Sequence, residues 1–219
     1  GTAEARIRRS TPATENETRN MIATAHKAPD FTAARRHMIE SQLRTSGIND
    51  AWVLDRMAAI PREDYVPEAA RASAYVDRTV PLGAGAFLAP PLAQGQILTH
   101  AKPRADERTL LIGPATAYLA ALIRPLVGEL REATPDQVLS GDVDGGFDLV
   151  IVDGSVEHVP AQLAATLAPS GRLVTGVVSR GVPRLAIGRL SGADVSLMTL
   201  VESQLPRLPA FDRPQSWTF

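Results

Sequence analysis

Hydrophobic and polar positions divide the chain into three stretches. Residues 1–30 carry Thr11-Pro12 and a polar run from Thr14 to Asn20, with no apolar periodicity, and read as a flexible N-terminal arm. From Phe31 the pattern turns helical. Met38, Ile39, Gln42 and Leu43 recur at helical spacing and end at Gly47, a residue suited to a left-handed stop. Asn49 or Asp50 can cap a second helix through Trp52, Val53, Leu54 and Met57, which must end before Pro61 because a residue preceding proline leaves the α region. A short third helix is expected around Pro67 to Tyr75. Val80 to Pro91, dense in glycine and proline, reads as an irregular loop.

The remainder alternates strand and helix. Strands are expected at Thr109–Gly113, Gln137–Ser140, Phe147–Val152 and Arg172–Val178, with helices over Ala115–Val127 and around Leu163–Leu167. Continuous apolar strands separated by helices imply a parallel sheet covered on both faces. Ala186–Leu190 and Val195–Val201 flank Ser191-Gly192-Ala193-Asp194 and predict a closing antiparallel hairpin.

With 219 residues, 44% of them hydrophobic, the chain suits one domain with a full core. The formal net charge of -1 provides no global positive field, so nucleic acid and anionic membranes are not expected partners. The absence of cysteine removes disulfides and thiolate chemistry, and His26, His37, His100 and His158 show no ligand spacing, so no metal is expected. No apolar run reaches the roughly 18 residues that span a bilayer, and no signal-peptide pattern opens the chain, which predicts a soluble, cytoplasmic protein.

A long series of residues resembles the protein-L-isoaspartate O-methyltransferase family. It comprises Arg35-Arg36-His37-Met38, Gln42-Leu43-Arg44, Gly47-Ile48-Asn49-Asp50, the run Ile60-Pro61-Arg62-Glu63-Asp64-Tyr65-Val66-Pro67-Glu68, Ala74-Tyr75-Val76-Asp77 and Val80-Pro81-Leu82-Gly83. Phe147 to Val152, Val159-Pro160 and Gly171-Arg172-Leu173-Val174 follow in register, so the likeness covers roughly residues 33–178. The resemblance implies an α/β fold: a Rossmann-like class I methyltransferase sheet flanked by helices, with an N-terminal helical subdomain. It divides residues 31–219, as a single domain, into a helical part with the substrate loop (31–91) and a Rossmann-like part (92–219). It also implies S-adenosylmethionine as cofactor and, as partner, a protein carrying an isoaspartyl residue.

Several positions depart from the family pattern. Its cofactor loop reads as an acidic residue followed by Ile-Gly-Thr-Gly-Ser-Gly-Tyr; here stand Leu111-Ile112-Gly113-Pro114-Ala115-Thr116-Ala117-Tyr118. Gly113, Ala115 and Tyr118 are the cofactor-binding candidates of this loop. Alanine at a left-handed position would cost roughly 1–2 kcal/mol, so Ala115 and Ala117 are expected to strain it. Glu132 is the candidate for the ribose, Asp142 for the adenine, and Asp153, at the end of the strongest strand, for a polar contact or base. Asp153 and Ser155 have a plainer alternative as caps of the next turn. Glu157 and His158, adjacent in sequence, would not share a helix face. So little chain joins Glu132 to Gln137 that a strand or its crossover is expected to be missing or rearranged. Ala89 occupies the position of the family's catalytic serine, in a loop made apolar by Ala86, Phe87 and Pro90.

These departures predict a family member with impaired or lost S-adenosylmethionine binding and catalysis, with S-adenosylmethionine as cofactor if active and none otherwise, retained as a binding or structural module. The alternative is an active protein carboxyl methyltransferase that repairs isoaspartyl residues. Dinucleotide oxidoreduction lacks its G-x-G-x-x-G signature. The Pro-rich, aromatic segment Leu205–Phe219 packs either on its own chain or on another.

Overall fold

The N-terminal helices form where the periodicity places them. In the computed structural model, which describes residues 28–214, α1 (Phe31–Met38) continues through a wide π-type turn at Ile39–Leu43 and a 3-10 turn at Arg44–Ser46. Gly47 stops it at φ 89°. α2 (Ala51–Ala59) follows Asp50, which holds the cap position without a side-chain bond, and ends at the extended Ile60. The third helix is only a 3-10 segment, Glu68–Ser73. The proposed arm lies almost wholly outside the described residues, and a compact unit begins at Phe31.

Val80–Pro91 is not irregular. β1 (Val80–Gly83) and β2 (Ala86–Leu88) form an antiparallel hairpin. Ala84 and Gly85 turn it at φ 49° and 77°, the two left-handed angles of a type I′ turn, whose twist matches the strands it joins. Glycine and proline density hid the hairpin because those residues here build its turn and occupy an edge position, where proline forfeits no ladder bond. Next comes α3 (Pro91–Ala101), absent from the sequence-based expectation. Ala93, Gln94, Gly95, Ile97, Leu98 and Ala101 are all buried, so it has no polar face to generate a period.

The main sheet contains β3 (Arg108–Ile112), β4 (Glu129–Ala133), β5 (Phe147–Val156), β6 (Leu167–Ser179), β7 (Val182–Ser191) and β8 (Asp194–Glu202). Its order is β4-β3-β5-β6-β7-β8; the first four strands are parallel, and β7 and β8 close it as the expected antiparallel hairpin. α4 (Ala117–Ile123) is shorter than expected, because Pro125 turns its end into a 3-10 segment. Leu167, expected in a helix, starts β6, and only α6 (Ala161–Ala164) precedes it. Strand alternation divides the core: Leu111, Leu149, Ile151 and Val174 face the N-terminal helices, while Leu110, Ile112, Val150 and Val152 face Leu163, Leu208 and Phe211. Among the described residues no helix is long and apolar enough to cross a membrane.

Gln137–Ser140 is likewise helical, within α5 (Pro135–Leu139) and its C-terminal cap. Thr134 Oγ1 accepts from the Gln137 amide at 3.3 Å, and Gln137 Oε1 accepts from the Thr134 amide at 2.8 Å. This reciprocal capping box explains how five residues hold a helix. The β4–β5 crossover is thus present but reduced to one short turn of helix, and β4 forms the edge of the sheet.

Candidate functional site

The carboxyl ends of β3, β4 and β5 meet beside Gly113, whose amide donates to the Ala133 carbonyl at 3.2 Å. A Cβ there would come within 3.2 Å of Thr116 and 3.4 Å of Asp153 Cβ, so glycine is kept by close packing. The strain expected at Ala115 and Ala117 does not arise, for neither has a positive φ. Pro114 and the two alanines carry the chain directly into α4 from Thr116, at φ -93° and ψ -9°. The loop therefore no longer needs the angles that three glycines would supply.

The ribose and adenine candidates are engaged with their own chain. Glu132 accepts from Thr116 Oγ1 at 2.6 Å and forms an ion pair with Arg124 at 2.7 Å, so both carboxylate oxygens have partners. Thr116, at the start of α4, thereby spends its hydroxyl on Glu132 and makes no capping bond. Asp142 closes an exposed turn, accepting from Ser140 Oγ at 2.6 Å next to Gly141 at φ 81°.

Asp153 looks inward. The β5–β6 register slips between Ile151 and Ser155, and this bulge places Asp153 in the interior, 1% exposed. Its Oδ2 accepts from Gln94 Nε2 at 3.2 Å, while Oδ1 has no partner among the described residues. Burial raises its pKa from 3.8 to about 6, against the opposing effects of the Gln94 bond and the nearby Arg62 charge. The alternative of a helix cap fails for both residues: Ser155 Oγ donates to the Leu205 carbonyl at 2.8 Å instead.

Arg62 organises this buried region. Fully enclosed, it donates to the Ala74 carbonyl at 2.7 Å, to Gln94 Oε1 at 2.6 Å and to the Ala89 carbonyl at 2.6 Å. Its guanidinium lies 4.8 Å from the ring centroid of the buried Tyr118, which meets Tyr65 edge-on at 5.3 Å. Burial pushes the Arg62 pKa down and the Tyr118 pKa up. Nearby, Tyr75 donates a short bond to Glu63, and Glu63 pairs with Arg35 at 3.0 Å. Ala89, at the serine position, is itself 0% exposed and serves through its carbonyl. Sequence reasoning missed the roles of Arg62 and Gln94. Arg62 stands inside the quoted Ile60–Glu68 run, whereas Gln94 has no local signal.

The segment after β8 crosses the carboxyl end of β5 as a strap on its own chain. Ser155 donates its amide to the Pro206 carbonyl at 2.7 Å, and Leu208 donates back to the Ser155 carbonyl at 2.9 Å. Leu208 packs so closely that a Cβ on Gly154 would lie 2.5 Å from it. Glu157 turns to this strap, pairing with Arg207 at 2.9 Å, and makes no acid–base pair with His158. A cavity of about 440 Å³ remains between Phe87, Pro114, Pro135, Asp136, Arg207 and Leu208. Its walls are mainly apolar. Of the sequence-predicted site residues, none lines it; Gly113 packs close to Asp153, Tyr118 is linked to Asp153 through Arg62, and Glu132 and Asp142 stand apart in separate ion-pair and turn contacts.

The family model described as Protein-L-isoaspartate(D-aspartate) O-methyltransferase matches residues 33–134. A protein-L-isoaspartate O-methyltransferase of Methylorubrum extorquens is 32% identical over 173 residues, covering 68% of this chain and 76% of the relative. One from Koribacter versatilis is 31% identical over 193 residues, covering 77% and 87%. Among solved structures, the Plasmodium falciparum enzyme in complex with S-adenosyl-L-homocysteine superimposes with a TM-score of 0.63 at 15% identity, covering 83% of this chain and 99% of that one. A second protein-L-isoaspartate O-methyltransferase gives 0.61 at 16% identity, covering 80% and 65%. These structural likenesses bear out the class I methyltransferase fold.

Proposed function

The chain belongs to the protein-L-isoaspartate O-methyltransferase family, and on that premise we propose that it has kept the scaffold while losing S-adenosylmethionine-dependent carboxyl methylation, and that it acts as a protein-binding module. The observation that carries this reading is the fate of Glu132. The acid assigned to the ribose is bonded on both oxygens by Thr116 and Arg124, at 2.6 and 2.7 Å.

The other positions agree. Leu111 offers no charge to the ammonium of a methionine moiety, and Asp142 is tied to Ser140. Asp153 and Tyr118 are each 1% exposed and bound into the Arg62 region. The residues present therefore fit S-adenosylmethionine poorly at its ribose, adenine and methionine ends. On the substrate side, Ala89 supplies neither donor nor acceptor from its side chain. What the carboxyl end offers instead is the apolar cavity between Phe87, Pro114 and Leu208, suited to an apolar side chain of a partner protein.

The test is methyl transfer from labelled S-adenosylmethionine to an isoaspartyl peptide, with an active family member as positive control. No incorporation above the peptide-free background is expected. Turnover within tenfold of the control would establish the competing reading, an active repair enzyme.

A further inference from the structure

A second cavity, of about 940 Å³, lies at the opposite end of the sheet. α3 spans the two ends: Gln94 reaches Asp153, and His100, roughly 9 Å further along the axis, lines this cavity. Its apolar surface includes Trp52, Leu126 and Ile187, whereas His100, Lys102, Arg104, Arg172 and Arg189 surround it and, among the described residues, Asp50 is the one acid lining it. In a chain with a formal net charge of -1, this is a local surplus of positive charge.

Part of that charge is structural. Arg172 pairs with the buried Glu107 at 2.5 Å and holds the Ala101 carbonyl at the end of α3; Arg104 shares Glu107 at 3.0 Å. The rest is not compensated in this way. The register that pairs Leu173 with Gly188 sets Arg189 opposite Arg172, and like charges facing each other across strands destabilise a sheet. Arg189 bonds only to the Ser170 carbonyl, at 3.1 Å, and neither it nor Lys102 has an ion pair among the described residues. Lys102 is moreover held at φ 44°, a left-handed angle unfavourable to a side-chain-bearing residue. Burial, and after it the Lys102 charge, depress the pKa of His100.

A concave site with an apolar floor and a few convergent charged groups is the usual form of a small-ligand pocket, and its volume falls within the ordinary range for one. We infer that this cavity is a second binding site, for a small phosphorylated ligand with a planar ring, of the nucleoside diphosphate class. The ring lies against Trp52 and the phosphates against Lys102 and Arg189. The site is independent of the carboxyl-end cavity and of whether methylation survives.

The experiment is calorimetric titration of the full chain with ADP, adenosine and inorganic pyrophosphate, repeated with Lys102→Ala and Arg189→Ala. Both side chains are exposed, and circular dichroism checks that each variant folds. Saturable ADP binding is expected, tighter than either fragment, and about tenfold weaker in each variant, as loss of a charge-assisted bond implies. Adenosine binding as tightly as ADP would overturn the inference. So would the absence of saturable heat at millimolar ADP, or ADP binding that both variants leave unchanged, which would put the ligand elsewhere. An acidic peptide that binds with the same dependence on Lys102 and Arg189, where ADP does not, would make the cavity a protein-docking site and also overturn it.

Discussion

Arg62 and Gln94 meet at 2.6 Å in the interior, and through Gln94 the guanidinium is connected to Asp153 at the end of the central strand. Arg62 also holds the Ala74 and Ala89 carbonyls, so one side chain ties the N-terminal helices, the β1–β2 hairpin and the sheet together. Replacing it with alanine strands the Gln94 amide oxygen and two buried carbonyls, and removes the positive charge nearest the buried Asp153. Arg62→Ala should lower unfolding stability by about 3–5 kcal/mol, measured by urea denaturation. Arg62→Lys should recover little, because an ammonium cannot span three acceptors with the geometry of the guanidinium fork.

The pKa of Asp153 determines a pH dependence. Its folded value, about 6, lies above the ordinary 3.8, so the native state binds the proton more tightly than the unfolded chain. Stability must then fall as pH rises from about 4 to about 6, and the loss is complete above the folded pKa. Asp153→Asn removes that slope. The variant's stability relative to the parent should rise by on the order of 1–3 kcal/mol between pH 4 and pH 8 in parallel denaturation series. A difference independent of pH would contradict the assignment.

Gly154 and Leu208 should be energetically coupled. A methyl group on Gly154 would lie 2.5 Å from Leu208 Cγ, so Gly154→Ala alone should cost about 1–3 kcal/mol by overpacking. Leu208→Ala opens space for that methyl group. The double variant should be more stable than the sum of the two single losses by about 1 kcal/mol or more in a double-mutant cycle. Additive losses would show that the strap is not seated on Gly154.

Ala84 bears a left-handed angle without being glycine. Ala84→Asn, which creates the Asn-Gly pair favoured in type I′ turns, should raise stability by about 0.5–1 kcal/mol in thermal or chemical unfolding.

Continuous apolar runs marked β3, β5 and β6, and amphipathic patterns marked the elements with one polar face. α1 and α2, and the β7–β8 hairpin, carry clear periods, and the family motifs located the sheet. α3 was not legible because it is buried on nearly every side, and α5 was mistaken for a strand because five residues show no period, although Thr134 and Gln137 contained the capping signal. At the candidate site, the substitutions at Ala89, Ala115 and Leu111 were visible, but their consequences depended on contacts far apart in sequence. The inward bulge at Asp153, its Gln94 partner on another element and the closure by Pro206–Leu208 could not be read locally. Nor could the relaxed loop geometry, which removes the strain that alanine in a glycine position suggested.

A titration with S-adenosyl-L-homocysteine reads whether Glu132 stays with Thr116 and Arg124. The wild-type chain should give no saturable heat at millimolar ligand. Micromolar, one-to-one binding, lost when Glu132 is changed to Ala, would mean that this carboxylate leaves Arg124 and Thr116 to hold a ribose, and would contradict the account.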